Sequence, residues 1–137
     1  METFAGAGLE LPSFLPATIV GDPLIVVLLD DVPVGYASIE PLRDWWHLHQ
    51  VSVDPVYGRR GAGTVLLLDV IARAREAQAV GVSLTTFADL PFNGPWYARH
   101  GFKVVNEKSL PWLAAARDFE RSAGIEVAPR QAMAQRF

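Results

Sequence analysis

The sequence predicts a mixed α/β fold, a β-sheet with helices packed against it. Three observations predict it. Short apolar runs rich in valine and isoleucine, bounded by Asp, Pro and Gly, fill much of the first part of the chain. One long stretch beyond residue 63 carries apolar residues at helical spacing. Strand and helix patterns then alternate to the end. With 137 residues, half of them apolar, the chain makes one domain, 1–137, with a sizeable core.

The elements follow in order. Residues 1–23 hold three glycines and three prolines, and Leu11 to Pro16 cannot be a long helix because each proline removes a donor and restricts its neighbour. This segment is expected to be irregular and short. Leu24 to Leu29 is a continuous apolar run, expected as a buried strand. Asp30-Asp31-Val32-Pro33 turns the chain into a second strand, Val34 to Glu40, making a hairpin. Trp46 to Val53 is the third strand. In the helix that follows, Leu67, Val70, Ile71, Ala74 and Ala77 share one face, Asp69, Arg73 and Glu76 line the other, and Gly81 is the expected stop. Val82 to Phe87 is a strand, Pro95 to His100 a short helix ended by Gly101, and Phe102 to Val105 a strand. Leu110 to Ala123 is helical and Gly124 ends it. Ile125 to Phe137 turns at Pro129 and closes as a last strand.

Composition excludes several functions. There is no cysteine, hence no disulfide, thiolate metal site or cysteine nucleophile. Twelve basic against fifteen acidic side chains argue against general nucleic-acid binding. The longest strongly apolar run, Leu24 to Leu29, is far too short to span a bilayer, and Met1-Glu2-Thr3-Phe4 lacks the basic start of a signal peptide. A soluble, cytoplasmic protein is expected, with no membrane or nucleic-acid partner.

The segment from Val51 to Thr64 carries the most chemistry. A strand leads into a glycine-rich turn and then the long helix. Gly61 and Gly63 remove side chains where a ligand would approach. The first helical amides have no intrahelical partner, and with the helix dipole they make an anion site. Arg59 and Arg60 add positive charge. These residues predict binding of a phosphate or pyrophosphate. The bland alternative is a glycine-rich helix start on a solvated basic turn. Neither the Gly-Lys-Ser/Thr of a Walker loop nor the Gly-x-Gly-x-x-Gly of a dinucleotide fold is present.

Val51-x-Val53-x-Pro55, then Arg59-x-Gly61-x-Gly63 and a Leu-Leu pair, resembles the acetyl-CoA signature of the GNAT (Gcn5-related N-acetyltransferase) family, Gln/Arg-x-x-Gly-x-Gly/Ala. Gly58 stands at its first position, a departure that leaves the amides of Arg59 to Thr64 in place. A second block, Asn93, Tyr97, Gly101 and Phe102, resembles the family's Asn…Tyr-x-x-x-Gly-Phe region. The resemblance covers residues 24–107. It implies a mixed, mostly antiparallel central sheet with helices on both faces, and acetyl transfer from acetyl-CoA to a primary amine, on a small molecule or a protein. It implies cofactor contacts at Val51, Ser52, Val53, Gly58, Arg59, Arg60, Gly61, Ala62, Gly63, Thr64 and Asn93. In the family the main chain near Val51 and Val53 pairs with the pantetheine arm like an added strand. Residues 1–23 are short for the family's acceptor-site wall. A homodimer would suit the family and a chain with four tryptophans.

An alkyl ammonium must lose a proton before it attacks a thioester, and the departing thiolate needs a donor. Tyr97 stands where the family places that acid; the alternative is a core aromatic beside Trp96 and Phe102. For the base, His47 and His49 alternate on the third strand and should share a face with Val51 and Val53. His49 aligns with a glutamate of similar sequences and is favoured over His47, with Glu40 third. The alternative is two ordinary strand histidines. A metal site is the weaker reading, since no third ligand has recognisable spacing, and none is expected. With no cysteine and no Gly-x-Ser-x-Gly elbow, direct attack in a ternary complex is expected. The competing function is a non-catalytic CoA-binding module of the same fold. Arg117, Asp118, Glu120 and Arg121 are expected to form a solvated helix face.

Overall fold

A computed structural model describes residues 17–19, 24–29, 32–54, 61–125 and 128–137. The chain divides into two compact units, residues 1–79 and 80–137. The first is an antiparallel meander of β1 (Ala17–Ile19), β2 (Leu24–Leu29), β3 (Val32–Leu42) and β4 (Trp45–Val53), each paired with the next. Helix α1 (Ala62–Glu76) packs on β2, β3 and β4. β1 lies inside the stretch expected to be irregular, because three residues are too few to show a period. β3 starts before the expected Val34. Pro33 pairs with Leu28 beside a bulge, one of the few places where a strand accepts proline.

The meander and α1 meet through small residues. A side chain built on Gly35 would come within 2.8 Å of the Ser52 carbonyl oxygen and 3.2 Å of Leu66. The missing side chain therefore sets how closely α1 approaches the sheet. Leu66, Leu67, Val70 and Ala74 are buried in that contact. Gly35→Ala is expected to lower stability by about 2 kcal/mol by overpacking this seam, measured by denaturant unfolding. An unchanged midpoint would show that the seam gives way.

Helix α1 ends earlier than expected. Its last residue is Glu76, Gln78 takes a left-handed φ of 62°, and the amides of Gln78 and Ala79 bond back to Arg75 and Ala74. This is the glycine-type helix stop made without glycine. Gly81 instead opens the next strand.

The second unit contains β5 (Gly81–Phe87), α2 (Gly94–Arg99), β6 (Lys103–Val105), a 3₁₀ turn at Glu107–Ser109, α3 (Pro111–Ser122) and β7 (Arg130–Arg136). β7 lies between β5 and β6 and is antiparallel to both. Val82, Leu84, Phe102, Leu113 and Met133 form its core. Trp112 opens α3 with its indole N–H donating to Ser83 Oγ at 2.9 Å.

Here the expected solvated face of α3 is overturned. Arg117 and Glu120 are only 4% and 6% exposed, on the same face as buried Leu113, while the apolar Phe119 is 67% exposed. Arg117 donates to Glu120 at 2.8 Å, and Thr85 of β5 donates to the same carboxylate. Arg130 of β7 completes the ion pair at 3.2 Å and stacks over the Phe87 ring. Asp118 and Arg121 do lie at the surface. The inversion is possible because β5 and β7 present Thr85 and Arg130 to the helix, partners that α3's own sequence does not reveal.

Candidate active site

β4 carries the predicted base and the predicted main-chain contacts. Its register with β3 runs Glu40↔His47, Ile39↔Leu48, then Ser38↔Gln50, so His49 has no partner on β3 and forms a β-bulge. Cross-strand partners share a face. Ile39, Leu48, Ala37, Val51, Gly35 and Val53 therefore share the face that meets α1. Glu40 and His47 belong to the other. The expectation that the histidines share a face with Val51 and Val53 is wrong, because the bulge shifts the alternation by one residue.

His49 is half-exposed, and its Nε2 lies 2.8 Å from Glu40 Oε1. The His47 ring stands edge-on to it, with centroids 4.8 Å apart. His47 itself is buried at 4% exposure. Bulge, carboxylate and buried ring thus hold one imidazole at the surface of β4.

Beyond Val53, the Asp54 amide donates to the Val34 carbonyl at 2.8 Å. Gly58, Arg59 and Arg60 lie outside the described residues. At Gly61 the backbone turns with φ 84°, a left-handed conformation that favours glycine, and α1 begins. Among the described residues no side chain caps this helix start, and its first turn carries no acidic residue. Ala62 is buried and Gly63 and Thr64 are half-buried. The first amides of an α-helix have no intrahelical partner, and the helix dipole favours an anion there. That donor set fits the diphosphate of coenzyme A.

Tyr97 and Asn93 come from the second unit. Asn93 precedes α2, its carbonyl accepts the Tyr97 amide at 2.9 Å, and its side-chain amide donates to Thr86 Oγ1 at 3.1 Å. That contact ties the start of α2 to β5. Proline at 95 suits the first turn of this short helix. The Tyr97 ring packs edge-on against Trp96 and Phe102, with centroids 4.9 and 5.6 Å away. Burial pushes its phenol up to about 12, which keeps the proton on oxygen throughout the neutral range. The aromatic-packing and acid readings of Tyr97 are thus compatible. The ring anchors, and the oxygen carries the proton.

Sequence reasoning missed the bulge at His49, the Glu40 contact and the Thr86 anchor of Asn93. No local signal marks a bulge. The Glu40–His49 contact depends on the hairpin register, which no spacing rule supplied.

A family model for the acetyltransferase (GNAT) family matches residues 8–102. Among solved structures, the chain resembles the PaiA N-acetyltransferase of Thermoplasma acidophilum in complex with coenzyme A, with TM-score 0.63 and 14% identity over 83% of this chain and 60% of that one. It resembles the N-acetylglutamate synthase of Neisseria gonorrhoeae with coenzyme A and N-acetyl-glutamate, with TM-score 0.65 and 23% identity over 82% of this chain and 25% of that one. It also resembles the ribosomal-protein-S18-alanine N-acetyltransferase of Escherichia coli, with TM-score 0.64 and 17% identity over 93% and 71% of the two chains. The chain thus spans less than two thirds of the first two. Among its described residues no helix is long and apolar enough to cross a membrane. At these identities the solved structures speak for the fold alone, and the family match, running from before β1 to Phe102, supplies the membership: this chain belongs to the acetyltransferase (GNAT) family.

Proposed function

We propose that the chain is an acetyl-CoA-dependent N-acetyltransferase that moves an acetyl group to a primary amine by direct attack in a ternary complex. The carrying observation is the start of α1: left-handed Gly61, no capping side chain among the described residues and no acidic residue in the first turn. The single-domain reading, 1–137, is supported by a family match that continues across the junction of the two units at residues 79 and 80.

Acetyl-CoA supplies an activated acyl thioester. The amides from Gly61 to Thr64 hold its diphosphate, with Gly58, Arg59 and Arg60 as further contacts to the cofactor. The main chain at Val51, Ser52 and Val53 orients the pantetheine arm, and Asn93 is assigned a further cofactor contact. His49 accepts the proton of the incoming ammonium. Tyr97 donates to the departing sulfur. The acceptor is an amino group of a small molecule or of a protein. The names of the similar structures, an N-acetylglutamate synthase and a ribosomal-protein alanine N-acetyltransferase, support both classes.

The test is a thermal melt with acetyl-CoA. At about 100 times Kd the ligand should add about 2.7 kcal/mol and raise Tm by several degrees. Joint Arg59→Ala and Arg60→Ala should weaken that shift about tenfold in ligand concentration and leave the unliganded Tm unchanged. No shift at saturating acetyl-CoA would remove the assignment. A panel of L-glutamate, an alanine-terminated peptide and a linear polyamine, read by thiol release, separates an enzyme from a binding module.

A further inference from the structure

We infer that Glu40 is a positioning residue for His49, fixing its tautomer so that Nδ1 is the atom that takes the proton. The inference rests on the reading of His49 as the base and adds the partner that makes it one.

His49 Nε2 and Glu40 Oε1 are 2.8 Å apart. An ionised carboxylate has no proton to give, so Nε2–H is the donor in this contact. A neutral imidazole with its hydrogen on Nε2 keeps its lone pair on Nδ1. The contact therefore selects which nitrogen is basic.

The strand geometry makes the contact specific. Glu40 faces His47 across the β3–β4 ladder, and His49 is two residues further along on the same side. The bulge leaves His49 without a cross-strand neighbour of its own, so its ring can lean along the strand toward Glu40. The buried His47 ring packs edge-on against it. The hydrogen bond and the ring contact together restrain the imidazole. Among the described residues no group of three His, Asp or Glu side chains could hold a metal ion. The arrangement is a carboxylate–imidazole pair.

The step balances simply. An R–NH3⁺ acceptor gives one proton to Nδ1, its nitrogen keeps the lone pair for attack, and the resulting imidazolium places its positive charge against the Glu40 carboxylate. Solvent takes the proton afterwards.

Two measurements test this on the full chain. Long-range ¹⁵N–¹H correlation of the histidine rings reads tautomers directly. At a pH where the ring is neutral, His49 should be wholly Nε2–H in the wild type and a mixture in Glu40→Ala. A mixture or an Nδ1–H ring in the wild type overturns the inference without any activity assay. The second is a double-mutant cycle with whichever of L-glutamate, the alanine-terminated peptide or the polyamine is acetylated. His49→Gln should lower kcat about 100-fold and Glu40→Ala about tenfold, with KM for acetyl-CoA unchanged in both. The double variant should match His49→Gln alone, since Glu40 acts only through His49. Effects that multiply, or a silent Glu40→Ala, overturn the positioning role and leave His49 as base. A silent His49→Gln overturns the base and Glu40's role with it. Glu40 is exposed, so its variants should fold, and a melt checks that they do.

Discussion

Tyr97→Phe is expected to lower kcat by about 100-fold while changing coenzyme A affinity less than twofold. The substitution keeps the ring and therefore its edge-on packing against Trp96 and Phe102. Only the oxygen is lost. Because burial pushes the phenol up to about 12, it is a weaker acid than a free tyrosine, and full transfer to a thiolate of ordinary pKa about 8.5 runs uphill. The proton is held as a donated hydrogen bond until the sulfur carries charge. Much of the effect is therefore expected in kcat, where that charge develops. Initial rates by thiol release, with affinity by calorimetry, read the split. Equal turnover in the variant would remove Tyr97 as the acid.

The same burial sets a pH dependence. The unfolded phenol ionises near the ordinary tyrosine value of 10.0 and the folded one at about 12. Below 10 both forms are protonated and stability is unaffected. Between those values the unfolded state has released its proton and the folded state has not, so stability falls as pH rises. Tyr97→Phe should lack that alkaline loss.

Glu120→Ala should cost about 3 kcal/mol of unfolding free energy, the largest stability effect expected here. The substitution takes from the Arg117 guanidinium, 4% exposed, its hydrogen-bonded carboxylate, leaving Glu107 at 3.8 Å, and removes the acceptor for Thr85 and the ion-pair partner of Arg130. The native carboxyl feels opposing influences. Burial pushes it up, and the hydrogen bonds from Thr85 and Arg117 with the charge of Arg130 outweigh this and hold it below the usual carboxylate range. A lowered folded value means the stabilisation is present above about pH 4.5 and fades as pH falls through the folded value. The gap between wild type and Glu120→Gln should therefore narrow in acid. Denaturant unfolding at pH 7 and pH 3 reads both. A cost under about 0.5 kcal/mol for Glu120→Ala would mean the ion cluster is incidental to holding α3.

Most elements were legible because their signals are local. The Leu24–Leu29 run, the spacing of Leu67, Val70, Ile71 and Ala74, and Gly101 and Gly124 after their helices each act within a few residues. The glycine-rich helix start and the Tyr97 block were legible for the same reason. Gly81 misled because glycine stops helices and also opens strands. Gln78 took the left-handed place that a glycine usually fills.

By itself the sequence determined the order of strands and helices from β2 onward, the glycine at the start of α1 and the family's paired motifs, all set by neighbouring residues along the chain. Tertiary structure alone decided that β4 bulges at His49, that Glu40 meets this imidazole, and that α3 buries Arg117 and Glu120 while exposing Phe119. The physical reason is that register and the burial of charge depend on what a distant strand offers. A buried carboxylate is tolerated only where Thr85 and Arg130, far apart in the chain, arrive together to satisfy it.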